Sequence, residues 1–189
     1  MRIVGGRLKG RTLIAPQTRA IRPTADRLRE AIFDILVHRY DAIDGARVVD
    51  LFAGSGALGL EAISRGAATA LFIDNGAEAR ALIRGNIEAL ALGGVTRIWR
   101  ADATKLGKAP SGEPFTLAFL DPPYGQNLAG PALSELTRGG WLATDALVLV
   151  EEDAKAEIAA PENFAELDRR EYGDTQIVTF RFASAGEAS

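Results

Sequence analysis

Five short apolar runs, each carrying an acid at or near its end, constrain this chain more than any other feature. They read ARVVDLF from residue 46, TALFID from 69, VTRIWRAD from 95, TLAFLD from 116 and ALVLVEE from 146. Helix-like stretches separate them, one from the glycines after Phe52 to about Arg65 and another from about Ala77 to Leu92. Strands that alternate with helices make a parallel sheet with helices on both faces. FAELDRREYG and TQIVTFRFA then alternate about Gly173-Asp174 and predict an antiparallel hairpin. The expectation is an α/β fold: a seven-stranded mixed sheet with helices on both faces, ending in a frayed tail over 184–189.

The first of these runs begins only after about 45 residues, and that preceding segment has its own character. Residues 1–30 hold eight Lys and Arg against two acids, Asp26 and Glu30, a charge of +6. The rest of the chain carries −9, so the net charge of −3 averages two unlike parts. Arg2, Arg7, Lys9 and Arg11 sit among Gly5, Gly6 and Gly10, which predicts a small basic hairpin or extended arm within residues 1–20. Such an arm suits an anionic partner; a solvated surface segment is the plainer alternative. Pro23-Thr24 opens a helical pattern through Leu28, Ile32, Ile35 and Leu36 to about His38, with Thr24 as the expected N-cap.

The turn after the first strand reads Asp50-Leu-Phe52-Ala53-Gly54-Ser55-Gly56-Ala-Leu-Gly59. Its glycines match G-x-G-x-x-G between a strand and a helix, and Asp74 follows at the end of the next strand. That spacing binds an adenosine-containing cofactor, with the acid on ribose hydroxyls. A turn that merely packs helix on strand is the structural alternative. Asp50 stands just before the turn, where its charge would repel a pyrophosphate and attract a ligand bearing an ammonium and a sulfonium. S-adenosylmethionine is such a ligand. The third strand ends at Asp102-Ala103, where the acid could accept from the adenine amine beside a backbone N–H, or could simply cap a helix. Asp50, Asp74, Asp102 and Asp121 together gather four carboxylates at the carboxyl edge of the sheet, where open α/β sheets bind ligands. The expected cofactor contacts are therefore Asp50, Phe52, Ala53, Gly54, Ser55, Gly56, Asp74, Asn75, Asp102 and Ala103.

Asp121-Pro122-Pro123-Tyr124 follows the fourth strand. Two prolines stiffen the loop and leave its carbonyls free to accept. Acceptors around an aromatic face suit a planar heterocycle with an exocyclic amine, which would donate to Asp121 and the Pro122 carbonyl while its ring stacks on Tyr124. The amine is then aligned for displacement, and the carboxylate offsets charge developing on nitrogen. The bland reading is a surface Pro-Pro turn.

These two motifs, in this order, resemble those of amino-group methyltransferases that use S-adenosylmethionine. RIVGGRLKGR at the start and RPTADRLREAIFDIL from Arg22 narrow the resemblance to the RsmD family. It covers residues 1 to about 183. It implies a Rossmann-like methyltransferase domain over 21–183 that methylates the N2 amine of one guanine in bacterial small-subunit ribosomal RNA. It also implies a cytoplasmic enzyme working as a monomer, without metal or membrane, on the RNA or the assembled subunit, releasing S-adenosylhomocysteine. Arg22 and Thr24 would then meet the methionine carboxylate at a helix start, and Arg2, Arg7, Lys9 and Arg11 would grip RNA phosphates. Where such enzymes commonly carry Glu, this chain has Asp74.

Composition excludes competitors. The chain has no cysteine and one histidine, so there is no thiolate nucleophile, no disulfide framework and no multi-histidine metal cluster. No uncharged apolar run reaches the ~18 residues of a membrane span, and the start lacks an apolar leader. Other acceptors stay open: adenine N6 in DNA or an amide nitrogen in protein. A nicotinamide oxidoreductase would need a catalytic Tyr–Lys pair or histidine near the glycines, and none is placed there; a purely RNA-binding module would not need the Asp121–Tyr124 loop.

Overall fold

A computed structural model describes residues 1–16 and 23–184. Its seven strands are β1 (Arg47–Leu51), β2 (Thr69–Ile73), β3 (Thr96–Trp99), β4 (Phe115–Leu120), β5 (Leu142–Asp153), β6 (Phe164–Tyr172) and β7 (Thr175–Phe182). They form one sheet in the order β3-β2-β1-β4-β5-β7-β6. β1 to β5 pair in parallel, and β7 runs antiparallel to both β5 and β6. The expected seven-stranded mixed sheet is present, with the reversal of strand order beside β1, where the glycine turn leaves the sheet.

Helices α1 (Pro23–His38), α2 (Ala57–Ser64) and α3 (Ala77–Ala89) pack on one face, and α4 (Ala129–Arg138) on the other. The strand period of two sorts the side chains between them. Val48, Phe72, Phe119 and Leu149 face α1–α3, whereas Val49, Ile73, Leu120 and Val150 face α4. Both faces of the central strands are thus buried, which is why they read as continuous apolar runs.

One helix expected from the alternating rhythm is missing. The described residues between β3 and β4 form turns and bends, because Gly107, Pro110, Gly112 and Pro114 break any helical run. Leu106 and Ala109 still cover the α4 face there, packed against its core. Trp141 is fully buried beneath them and donates its indole N–H to the Gly107 carbonyl at 2.9 Å.

The basic N-terminal segment is a hairpin. Arg2 bridges Thr12 antiparallel, and a short 3-10 turn, Gly6–Leu8, forms its tip. It is no loose arm: Ile3 and Leu13 are buried in the same core as α1–α3. Thr24 falls inside α1, which begins at Pro23, so it does not precede the helix as the expected cap would. Pro at the first helical position costs no hydrogen bond and presets φ, which lets the helix start there. Arg22 and the tail over 185–189 lie outside the described residues. His38 ends α1 and is exposed. No helix among the described residues is long and apolar enough to cross a membrane.

Candidate active site

Three residues in left-handed conformation turn the chain from β1 into α2: Phe52 at φ 57°, Gly54 at 59° and Gly56 at 78°. Glycine takes this shape freely, but a bulky Phe does so only when its surroundings hold it there. The turn is pinned by the Gly56 N–H on the Ala53 carbonyl (2.7 Å) and the Ala53 N–H on the Ile73 carbonyl (3.2 Å). Gly59 lets helix meet strand, since a Cβ there would fall 2.4 Å from the Phe72 ring.

Asp50 departs from its expected placement facing a ligand. Its side chain follows the strand period onto the α2 face, 1% exposed, and its Oδ2 accepts the Gly59 N–H at 2.9 Å. Burial pushes its carboxyl up to about 8, against the lowering effect of the Gly59 N–H, with the nearby Asp74 charge raising it further. Asp50 therefore braces the glycine turn from beneath and is not among the residues lining the cleft.

That cleft, of about 340 Å³, opens at the carboxyl edge. Its lining includes Phe52, Asp74, Asn75, Asp102 and Ala103, the residues expected from three separate strand ends. Pro123, Gln126 and Leu128 form another part of the wall. Asp74 links two loops: Oδ2 accepts the Gly54 N–H (2.9 Å) and Oδ1 the Gly76 N–H (2.8 Å). Asp102 Oδ1 accepts both the hydroxyl (2.7 Å) and the N–H (2.9 Å) of Thr104, which hold its carboxyl below the usual range. Two carboxylates and no Lys or Arg stand among the described residues of this wall. Such a lining disfavours a pyrophosphate and fits a cationic adenosine ligand, at a size within the ~300–1,000 Å³ usual for small-molecule pockets. Ala53, Gly54, Ser55 and Gly56 lie in the turn beside the cleft and are absent from its lining.

The Asp121–Tyr124 loop leaves β4 next to this wall. Pro122 is buried, Asp121 half-buried, and Pro123 reaches the cleft. Tyr124 is 46% exposed, and its hydroxyl pairs with Thr175 Oγ1 at 2.8 Å and donates more weakly to Glu151 at 3.4 Å. Desolvation pushes this phenol up to about 12, so it stays neutral. Thr175, which opens β7, is legible from no motif; only its fold position brings it to Tyr124.

The basic hairpin is fastened at the far ends of α2 and α3. Glu61, fully buried on α2, accepts the N–H groups of Val4 (2.9 Å) and Gly5 (2.7 Å) and pairs with Arg65 (2.8 Å) and Arg29 (3.6 Å). Ser64 accepts the Leu8 N–H and donates to the Gly5 carbonyl. Arg7 and Lys9 project from the tip, exposed, and form no ion pair among the described residues. Arg2 meets Asp26 at 3.6 Å, and Arg11 donates to the Ala89 carbonyl at 2.7 Å.

The family model described as "Conserved hypothetical protein 95" matches residues 1–181. An Escherichia coli (strain K12) protein named Ribosomal RNA small subunit methyltransferase D is 40% identical over 156 residues, 82% of this chain and 76% of that one. The Haemophilus influenzae protein of the same name is 33% identical over 186 residues, 96% of this chain and 92% of its own. Among solved structures, yhhF from Escherichia coli superposes with a TM-score of 0.83 at 33% identity, covering 97% of this chain and 98% of that chain. SMU.776, solved in complex with SAH, shares the fold at 15% identity and a TM-score of 0.62, covering 85% of this chain and 50% of its own.

Proposed function

From a chain that belongs to the family described as Conserved hypothetical protein 95, the RsmD family, we propose a methyltransferase that moves a methyl group from S-adenosylmethionine to the N2 amine of a guanine in small-subunit ribosomal RNA. The observation that carries this reading is that Pro123 of the Asp121–Tyr124 loop shares a wall with Asp74 and Asp102. A donor in that cleft and an amine on that loop would be neighbours. The two relatives named for ribosomal RNA small-subunit methylation support the class of acceptor.

When bound, the donor supplies an electrophilic methyl group on a sulfonium. Asp74 accepts from its ribose hydroxyls, and Asp102 accepts from its adenine amine beside the Ala103 N–H. Phe52, Ala53, Gly54, Ser55, Gly56 and Asn75 would border it, and Arg22 and Thr24 would take its carboxylate. Asp50 holds the turn beneath it in shape through the Gly59 N–H. On the acceptor side, the amine donates one hydrogen bond to Asp121 and one to the Pro122 carbonyl, which turns the nitrogen lone pair toward the methyl group. Asp121 then offsets the positive charge that grows on nitrogen, and after transfer the cationic nitrogen sheds one proton to Asp121 or water. Tyr124 serves as a stacking face, its neutral hydroxyl anchored on Thr175. Guanine reaches this loop after leaving its stack, while Arg2, Arg7, Lys9 and Arg11 hold phosphates in a way that positions without specifying. The work takes place where the RNA is, in the cytoplasm, and needs no metal.

Labelled S-adenosylmethionine incubated with the protein and small subunits lacking the modification, or with naked RNA, tests this directly. Digestion should release labelled N2-methylguanosine; label in adenine, DNA or protein would overturn the acceptor assignment. Asp121→Ala should abolish transfer while calorimetry shows donor binding largely retained.

A further inference from the structure

Asn86 lies on the inner side of α3, 1% exposed, and its side chain serves two separate parts of the molecule. Its Nδ2 donates to the Ser55 carbonyl inside the glycine turn (2.9 Å) and to the Ile14 carbonyl at the base of the basic hairpin (3.0 Å). Its Oδ1 accepts the Ile14 N–H at 2.7 Å. Both amide hydrogens and the oxygen are thus engaged, as a buried amide requires. An apolar residue here would strand groups of Ser55 and Ile14, and a carboxylate could not donate to either carbonyl.

Asn86 is absent from the cleft lining, and its amide is taken up by Ser55 and Ile14, so the methyl-transfer chemistry does not account for it. What it does account for is the joining of two surfaces. Ile14 ends the segment carrying Arg2, Arg7, Lys9 and Arg11, and Ser55 lies between the two left-handed glycines of the turn. A shift in the Ser55 carbonyl alters the amide that holds both backbone groups of Ile14, and the reverse holds equally. The hairpin's other hydrogen bonds to the rest of the chain run to Glu61 and Ser64 on α2, to Arg29 on α1 and from Arg11 to the Ala89 carbonyl, and not to the turn. Among the described residues, Asn86 is the side chain that hydrogen-bonds both hairpin and turn.

We propose that Asn86 is a positioning residue that couples the two sites: RNA held on the hairpin raises affinity for the methyl donor at the turn, and the donor raises affinity for RNA. The proposal rests on the methyl-transfer reading above. Each ligand orders groups that Asn86 binds, so the second ligand meets a partner already ordered. Coupling of this kind is reciprocal by thermodynamic necessity.

Calorimetric titration of S-adenosylhomocysteine into the whole protein, free and saturated with a small-subunit ribosomal RNA transcript, measures the coupling. The unmodified sequence should bind roughly five-fold or more tightly with RNA present. Asn86→Ala should bring that ratio to about one, and Ile14→Pro, which removes the N–H donated to Asn86 but leaves the carbonyl it donates to, should lower it. Thermal melting establishes that each variant is folded; where Asn86→Ala is not, Ile14→Pro decides. Steady-state kinetics should show raised KM for donor and RNA with kcat at saturation near the parent value, a split that general destabilisation would not produce. Equal affinity with and without RNA in the parent protein, or an undiminished ratio in a folded variant, overturns the coupling. Failure of the underlying reading looks different, since the parent protein would then bind no S-adenosylhomocysteine or no RNA, and both proposals fall.

Discussion

A carboxylate with no water around it is an uneasy residue, and Asp50 is the clearest case in this chain. Its carboxyl titrates at about 8 in the folded protein against 3.8 for the ordinary side chain. The folded state therefore binds the proton more tightly than the unfolded one. The stability this contributes is complete below about pH 4 and is lost as pH rises toward 8, by up to about 1.4 kcal/mol per unit. Asn at this position keeps an oxygen for the Gly59 N–H and cannot ionise. Urea unfolding should therefore show Asp50→Asn matching the parent near pH 4 and exceeding it increasingly up to pH 8. Parallel stability profiles would mean that Asp50 is solvated in the folded protein. A cationic ligand seated over the glycine turn would favour the ionised form of this buried acid and draw its titration downward.

At the scale of elements, α2 does more than follow a glycine turn. Its first turn is tied to β1 through the Gly59 N–H on Asp50, and its last carries the hairpin on Glu61 and Ser64. Removing one member of a buried ionic group typically costs about 3–5 kcal/mol. Glu61→Ala should lose about that much in urea unfolding, because Arg29 and Arg65 lose a partner and two hairpin N–H groups lose their acceptor. Amide hydrogen exchange should rise at Val4 and Gly5 first; protection unchanged there would show the hairpin held by its apolar packing alone. The strands and the acids at their ends are readable because doubly buried parallel strands leave continuous apolar runs. The cleft residues Asp74, Asp102 and Pro123 follow from those ends. Glu61, Ser64 and Asn86 are not readable: each looks like a solvent-facing helix residue, and its partner on the hairpin lies more than 50 residues away in sequence. The β3–β4 connection misleads for the opposite reason, since local glycines and prolines override the rhythm of the elements around them. Asp50 misleads because its neighbours in sequence point to a ligand while its strand parity turns it inward.

For the whole molecule, charge separates by region: a cleft walled by acids and a hairpin carrying exposed Arg7 and Lys9 with Arg11 beside them. If RNA binds through that hairpin, changing Arg7, Lys9 and Arg11 to Ala should weaken binding and flatten the plot of log affinity against log salt, by roughly 0.7–0.9 for each phosphate no longer neutralised. Filter binding from low to moderate salt measures this, and an unchanged slope would move the RNA surface elsewhere. The sheet's own order carries another consequence. β7 sits between β5 and β6, so the later strand takes the inner place. The nine residues of β6 therefore form the outermost strand at this end of the sheet, paired to β7 on one side and open on the other. Glu166, Asp168, Arg169, Arg170 and Glu171 keep that strand charged, which guards the sheet's open border against pairing with other chains and makes β6 a sentry for solubility.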